Sequence, residues 1–269
     1  MCFHTKQTEK VKKLEEHYSV GLYKKQEDAR ESFDIPYYHQ NGFDHPFNLI
    51  IPQEASKLLI VGKWGIVPET YKPEETSLYY TKQIKWGSGL NAQSEKAFGY
   101  YFYEFNEAIL HRRCIIPVTG FYEPHTLPND AKIPIHIKKK DDGIISFAGI
   151  YSVLEGGLVT YTIFTKKASS MFAEIHNSKK RQPLMLGLNE TKVWLSKDSS
   201  EDEITELLTF EFDNTELEAY PVSKDINRRI DSNVSTITNK VDYRERPKEI
   251  KNFNLDNYQG KPYLPHLFN

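Results

Sequence analysis

The chain has 269 residues, 39% hydrophobic and 13% aromatic, which suits a sizeable core and excludes the composition of a disordered chain. The 35 Lys and Arg stand against 37 Asp and Glu for a formal net charge of −2, so no global basic field points to nucleic acid and any such binding must come from a local patch. Two cysteines, Cys2 and Cys114, exclude a disulfide scaffold and a four-thiolate metal site, and the first 17 residues carry no apolar leader, so a reducing cytoplasm is the expected compartment.

Cys2 follows the initiator methionine and is small enough to permit its removal. The mature chain would then carry an amine and a thiol on one residue. With an α-amino pKa of about 7.7–8.0 and a thiol pKa of about 8.5, both are usable nucleophiles near neutral pH. The amine adds to an aldehyde as a Schiff base, and the thiolate closes a thiazolidine ring on it.

In residues 10–18, Val11, Leu14 and Tyr18 share one helical stripe, which predicts a short amphipathic helix with its lysines in solvent. Residues 21–45 show no period and read as a surface loop that includes His39 and His45. Strands are expected over 47–51 and 57–61, and Trp64-Gly65 ahead of Pro68 marks a sharp strand end with Trp64 as a core candidate. Residues 69–89, with Trp86, read as a loop. Ser94 fits a helix N-cap, and Phe98, Phe102, Phe105 and Ile109 recur at helical spacing as a core stripe weakened at Gly99.

Residues 113–117 and 118–123 read as strands. The second sets Glu123 among apolar and aromatic residues, where a carboxylate needs a partner or a job, while Cys114 in the first reads as an inert buried thiol. Further strands are expected over 133–137, 144–151 and 158–165, with the charged run 138–142 as a hairpin tip. A helical turn over 169–175 ends at His176, and Lys179-Lys180-Arg181 leads into a strand at 184–186. Histidine is the usual acid–base group at neutral pH, and His176 is a candidate for it or for a structural contact. An amphipathic helix over 201–210 and a strand over 218–223 precede a polar stretch, 225–269, that reads as loop and tail. With no clear linker, the pattern is one α+β domain of antiparallel strands with peripheral helices. The nine histidines form no ligand spacing for a metal, and no phosphate-cradling glycine loop is present.

Five pieces then stand in order: Cys2, Asn91-Ala92-Gln93-Ser94-Glu95, Gly120-Phe121-Tyr122-Glu123, His176 with Arg181-Gln182-Pro183, and Tyr220-Pro221-Val222-Ser223. Together with Trp64-Gly65-Ile66-Val67-Pro68, Arg113-Cys114-Ile115-Ile116-Pro117 and Phe147-Ala148-Gly149-Ile150 they resemble the SRAP (SOS response-associated peptidase) family of abasic-site sensors. The resemblance implies a barrel-like, mainly antiparallel core in one domain over residues 2–227, followed by an extension over 228–269. It implies recognition of an abasic site in single-stranded DNA and a covalent crosslink through Cys2 once Met1 is gone. By the same resemblance Asn91 holds the N-terminal residue, Glu123 takes a proton from its amine, and His176 protonates the sugar ring oxygen. On the DNA side it places His4, Trp64, Gln93 and Arg181, with Trp64 offering a face to a base. Phe3-His4 stand where the family has Gly-Arg, and Gln93 where it has Arg, so two phosphate contacts are missing and a smaller salt dependence is expected. No cofactor or metal is implied, and a monomer is expected. Two other functions fit the same residues: a cysteine peptidase or N-terminal-nucleophile hydrolase using Cys2, His176 and Glu123, and a noncovalent single-strand-binding module in which Cys2 is incidental.

Overall fold

The computed structural model describes residues 2–83, 89–99, 105–228 and 231–243. The chain runs β1 (His4–Gln7), α1 (Val11–Tyr18), β2 (Gly21–Leu22), α2 (Arg30–Phe33), β3 (Tyr37–Asn41), β4 (Phe47–Pro52) and β5 (Leu58–Trp64). There follow α3 (Thr76–Leu78), β6 (Asn91–Gln93), α4 (Asn106–His111), β7 (Arg113–Val118), β8 (Gly120–Thr126), β9 (Lys132–Lys139), β10 (Ile145–Val153) and β11 (Val159–Lys167). The last part holds α5 (Ser170–Ile175), β12 (Arg181–Pro183), β13 (Met185–Leu186), α6 (Leu188–Trp194), α7 (Glu201–Leu208) and β14 (Leu217–Pro221).

Strands β5, β4, β7, β10 and β11 pair in that order, and β11 returns to β5 in parallel through Tyr161 and Trp64, which closes a five-stranded barrel. All other pairings around the ring are antiparallel. Closure removes the free edges that a sheet of this kind would otherwise expose. A second antiparallel sheet, in the order β14-β9-β8-β1-β3, lies against it. The expected single α+β domain with a barrel-like core is the architecture observed.

The sequence reason is plain in β7, which is buried along its whole length. Cys114, Ile116 and Val118 enter one apolar cluster and Ile115 another, the period-two alternation of a strand covered on both faces. Arg113, fully buried at its start, donates to the carbonyls of Trp194, Ile109, Leu110 and Ser196 and so ties α4 and α6 to the barrel. At the end of β5, Gly65 has φ of +120°, and a Cβ there would meet His45 Nδ1 at 2.5 Å. Only glycine makes that turn without strain. None of the described helices is long and apolar enough to cross a membrane.

Three expectations are corrected. Residues 91–109 are not one helix. Asn91–Gln93 pair in parallel with β11, Ser94–Lys96 make a single 3-10 turn, and Phe98 is exposed. Sheet pairing overrides the helical spacing of the aromatics there. Phe102 and Trp86 lie outside the described residues. Residues 21–45 are not a plain loop, because β3 pairs with β1 and buries His39. Residues 231–243 are not a loose tail: Ile237 and Tyr243 are buried, and the Tyr243 hydroxyl donates to Val222 O at 2.6 Å. Residues 244–269 lie outside the described residues.

Candidate active site

Glu123 and His176 meet at the mouth of the second sheet. Both are buried, at 1% and 2% exposure, and His176 Nδ1 lies 3.1 Å from Glu123 Oε2. Two clamps hold that distance. Asn177 exchanges hydrogen bonds with the Thr126 backbone, donating to its carbonyl at 2.8 Å and accepting from its amide at 2.9 Å. His125 Nδ1 donates to Glu174 O at 3.0 Å. The C-terminus of α5, which His176 caps, is thus pinned to the strand that carries Glu123.

Cys2 reaches the same place through β1. The antiparallel register sets His4 opposite Tyr122, so the residues before β1 run toward the Glu123 end of β8. Cys2 is fully buried. Burial pushes its thiol well above the ordinary value, and the Glu123 carboxylate pushes it further. Asn91 Nδ2 donates to Cys2 O at 2.9 Å, while Asn91 Oδ1 is buried with no partner among the described residues. An unpaired buried acceptor is costly and marks a place where a donor is expected. Four of the sequence-predicted residues, Cys2, Asn91, Glu123 and His176, are therefore brought together from the segment just before β1, from β6, from β8 and from the C-cap of α5. A cleft of about 600 Å³ opens on Glu123 and His176, with Phe3, His4, Lys132 and Lys179 also in its wall, while Cys2 lies fully buried behind it.

The expected DNA contacts fare unevenly. Trp64 is fully buried, its indole N–H donates to Leu90 O at 2.9 Å, and its ring stacks on Tyr161. It offers no exposed face to a base, and that expectation is corrected: the strand end it marks is core. Gln93 is half-buried on β6, level with Thr165 of β11. Arg181 lies near it on β12, but its guanidinium is taken by both oxygens of Glu95, at 2.6 and 3.0 Å, and by Thr165. Glu95 is pushed upward by partial burial and nevertheless sits below the ordinary carboxylate range because of this pair. His4 lines the cleft wall, yet its Nδ1 shares a hydrogen bond of 2.8 Å with His39 Nε2, and His39 Nδ1 shares one of 2.6 Å with Ser232 Oγ. Burial lowers His4 to about 4 and His39 to about 3, so both rings are neutral at pH 7. A neutral, engaged imidazole does not replace a phosphate-gripping arginine.

His39 and Ser232 were not legible as site neighbours. They meet His4 only through β1–β3 pairing and a contact across 193 positions, and no local motif announces either.

A carboxylate touching an imidazole, near a cysteine at position 2 held by an asparagine, is thus set around the first residues of a barrel-containing α+β domain. The family model for SOS response associated peptidases (SRAP) matches residues 1–229, and the chain belongs to that family. The abasic site processing protein YobE of Bacillus subtilis (strain 168) is 30% identical over 219 residues, 77% of this chain and 94% of that protein. The abasic site processing protein YoqW of Bacillus phage SPbeta is 30% identical over 219 residues, 77% of this chain and 92% of its own. A crystal structure of a protein from Bacteroides thetaiotaomicron superimposes with a TM-score of 0.75 at 31% identity, covering 89% of this chain and 100% of that one.

Proposed function

We propose that this protein senses abasic sites in single-stranded DNA and joins them covalently through Cys2. The observation that carries the reading is the Glu123–His176 contact of 3.1 Å beside a position-2 cysteine gripped by Asn91. Relatives named abasic site processing proteins support it. The activity is assigned to residues 2–227.

Removal of Met1 turns the Cys2 amide into an amine. The buried Asn91 Oδ1 accepts one of its hydrogens, and Glu123 takes a proton from the ammonium form. His176 gives a proton to the deoxyribose ring oxygen as the C1′–O4′ bond opens and the C1′ hydroxyl gives up its own proton to water, leaving an aldehyde at C1′. The amine adds to C1′, the aldehyde oxygen leaves as water, and an imine forms. The Cys2 sulfur then adds to C1′ while its proton passes to the nitrogen. One water is lost overall and a five-membered thiazolidine closes. A peptidase nucleophile works as a thiolate, and in the chain that still carries Met1 burial and the Glu123 charge disfavour that form of Cys2. Lys132 and Lys179, exposed on the cleft wall, are the cations available to the phosphates on either side.

The test is direct. Chain freed of Met1 is incubated with a single strand holding one abasic site, digested, and weighed. The N-terminal peptide is expected to gain the mass of the sugar-linked remnant less one water. No gain, with Met1 shown to be absent, overturns the proposal, and cleaved peptide substrates instead would point to the hydrolase.

A further inference from the structure

A second cavity of about 670 Å³ shares His4, Phe43 and the 226–227 turn with the catalytic cleft. Its other side is built partly by Asp231, Ser232 and Asn233, which lie beyond the 1–229 segment that the family model matches. We propose that this cavity is a nucleobase subsite, holding the base next to the abasic residue and favouring bases that carry an exocyclic amine. The proposal rests on the reading of the cleft as an abasic-site centre.

The lining has the chemistry of a base edge rather than of a phosphate. Asn41 Oδ1 accepts from Phe43 N at 3.2 Å, and Asn233 Oδ1 accepts from Tyr38 N at 2.8 Å. The backbone thereby fixes the oxygen end of each amide and leaves each Nδ2 as a donor for a guest. Asp231 spends one oxygen on Asn233 N at 2.9 Å, and the exposed Asp44 is the second carboxylate of the lining. The lining therefore carries both amide donors and carboxylate acceptors. The exocyclic amine of adenine, cytosine or guanine brings two hydrogens for the two carboxylates beside a ring acceptor for an amide, whereas thymine brings a single imide hydrogen between two carbonyls. Phe43, in contact with Phe3 at 4.8 Å between ring centroids, supplies an aromatic surface on the shared wall.

A phosphate fits poorly. Asp44 and Asp231 repel it, and Arg228 at the rim already pairs with Asp225 at 2.8 Å. The wall is built and not loose. Ser232, His39 and His4 form one chain of hydrogen bonds from the extension to the strand that follows Cys2. A base held against this wall would fix the sugar of its neighbour relative to Glu123 and His176, which is the positioning that an aldehyde–amine addition needs.

The experiment uses single strands with one abasic site whose 3′ neighbour, and in a second set whose 5′ neighbour, is A, C, G or T. Each adduct-forming rate at limiting protein is divided by the same protein's rate on a strand whose neighbour is itself abasic. On one of the two sides, A, C and G are expected to exceed T by about fivefold, the scale of one net hydrogen bond. Asn233→Ala and Asp231→Ala are expected to reduce that ratio toward one. Equal ratios for all four bases on both sides, or variants that keep the preference, overturn the subsite while leaving the abasic-site reading intact. If no strand gives an adduct, the covalent reading fails instead, and the same strands are compared by equilibrium binding, where equal affinities overturn the subsite.

Discussion

Cys2 and Cys114 make an instructive pair. Both are fully buried, and burial pushes both thiols well above the ordinary value. Their company differs. Cys114 sits in the barrel wall, its backbone paired with Gly149 of β10 and with Pro52 of β4, and burial alone accounts for its shift. Cys2 has its carbonyl held by Asn91 and its thiol within the field of Glu123, which itself touches His176. A buried thiol is inert by default. In the proposed function, Cys2 departs from that default through what stands beside it and through the amine that removal of Met1 would add to its sulfur.

The largest effect separates the two cysteines outright. Cys2→Ala is expected to abolish the denaturation-resistant adduct with abasic single strands, read as loss of the slow-migrating band. Cys114→Ala is expected to form it at the normal rate and to cost about 1 kcal/mol in denaturant unfolding, a typical value for a small core truncation. An adduct from Cys2→Ala, or none from folded Cys114→Ala, breaks the comparison.

Next in size is the carboxylate. Glu123→Gln keeps the shape and a hydrogen bond for His176 but takes no proton from the amine. Adduct formation is expected to slow by about 10²–10⁴-fold, the usual worth of a positioned acid–base group. The sign on the thiol is the sharper readout. The Glu123 charge raises Cys2, so its removal should move the pH profile of Cys2 alkylation to lower pH. The profile of Cys114, which has no such neighbour, should stay where it is. A Cys2 profile that does not move would show that Glu123 acts elsewhere.

The same contrast explains how much of the molecule was legible. The barrel strands announce themselves because they are buried on both faces, and runs such as Ile115-Ile116 have no other use. Glu123 was visible as a carboxylate in an apolar strand, and His176 as an imidazole closing a helical turn. The strands that bring Cys2 to them were not. β1 and β3 are four and five residues long, largely polar, and without alternation, so only their pairing with each other and with β8 gives them order. Trp64 illustrates the opposite error: the ring matches a family position, but its surroundings enclose it. The aromatics after Ser94 fit a helical period, yet β6 is claimed by β11 and Phe98 is left exposed.

The smallest expected effect applies that lesson to Arg181. It matches the family's arginine, as Cys2 matches its cysteine, but identity is not availability. Both guanidinium ends are bonded to Glu95, and the side chain is only 16% exposed. A phosphate can use Arg181 only by displacing a carboxylate that holds it in a bidentate pair. Glu95→Gln weakens that pair and keeps the side chain's size. If the pair withholds Arg181, the variant gains one phosphate contact, and the salt dependence of single-strand binding should steepen by about 0.7 in log K against log[salt]. The gain in affinity at low salt should be only a few-fold, since an ion pair with a half-exposed partner is worth at most about 1 kcal/mol. In the unmodified background, Arg181→Gln should change the slope little. The reverse pattern, a slope that falls with Arg181→Gln and does not respond to Glu95→Gln, would mean that DNA already displaces Glu95, and that Arg181 is released by the ligand it serves.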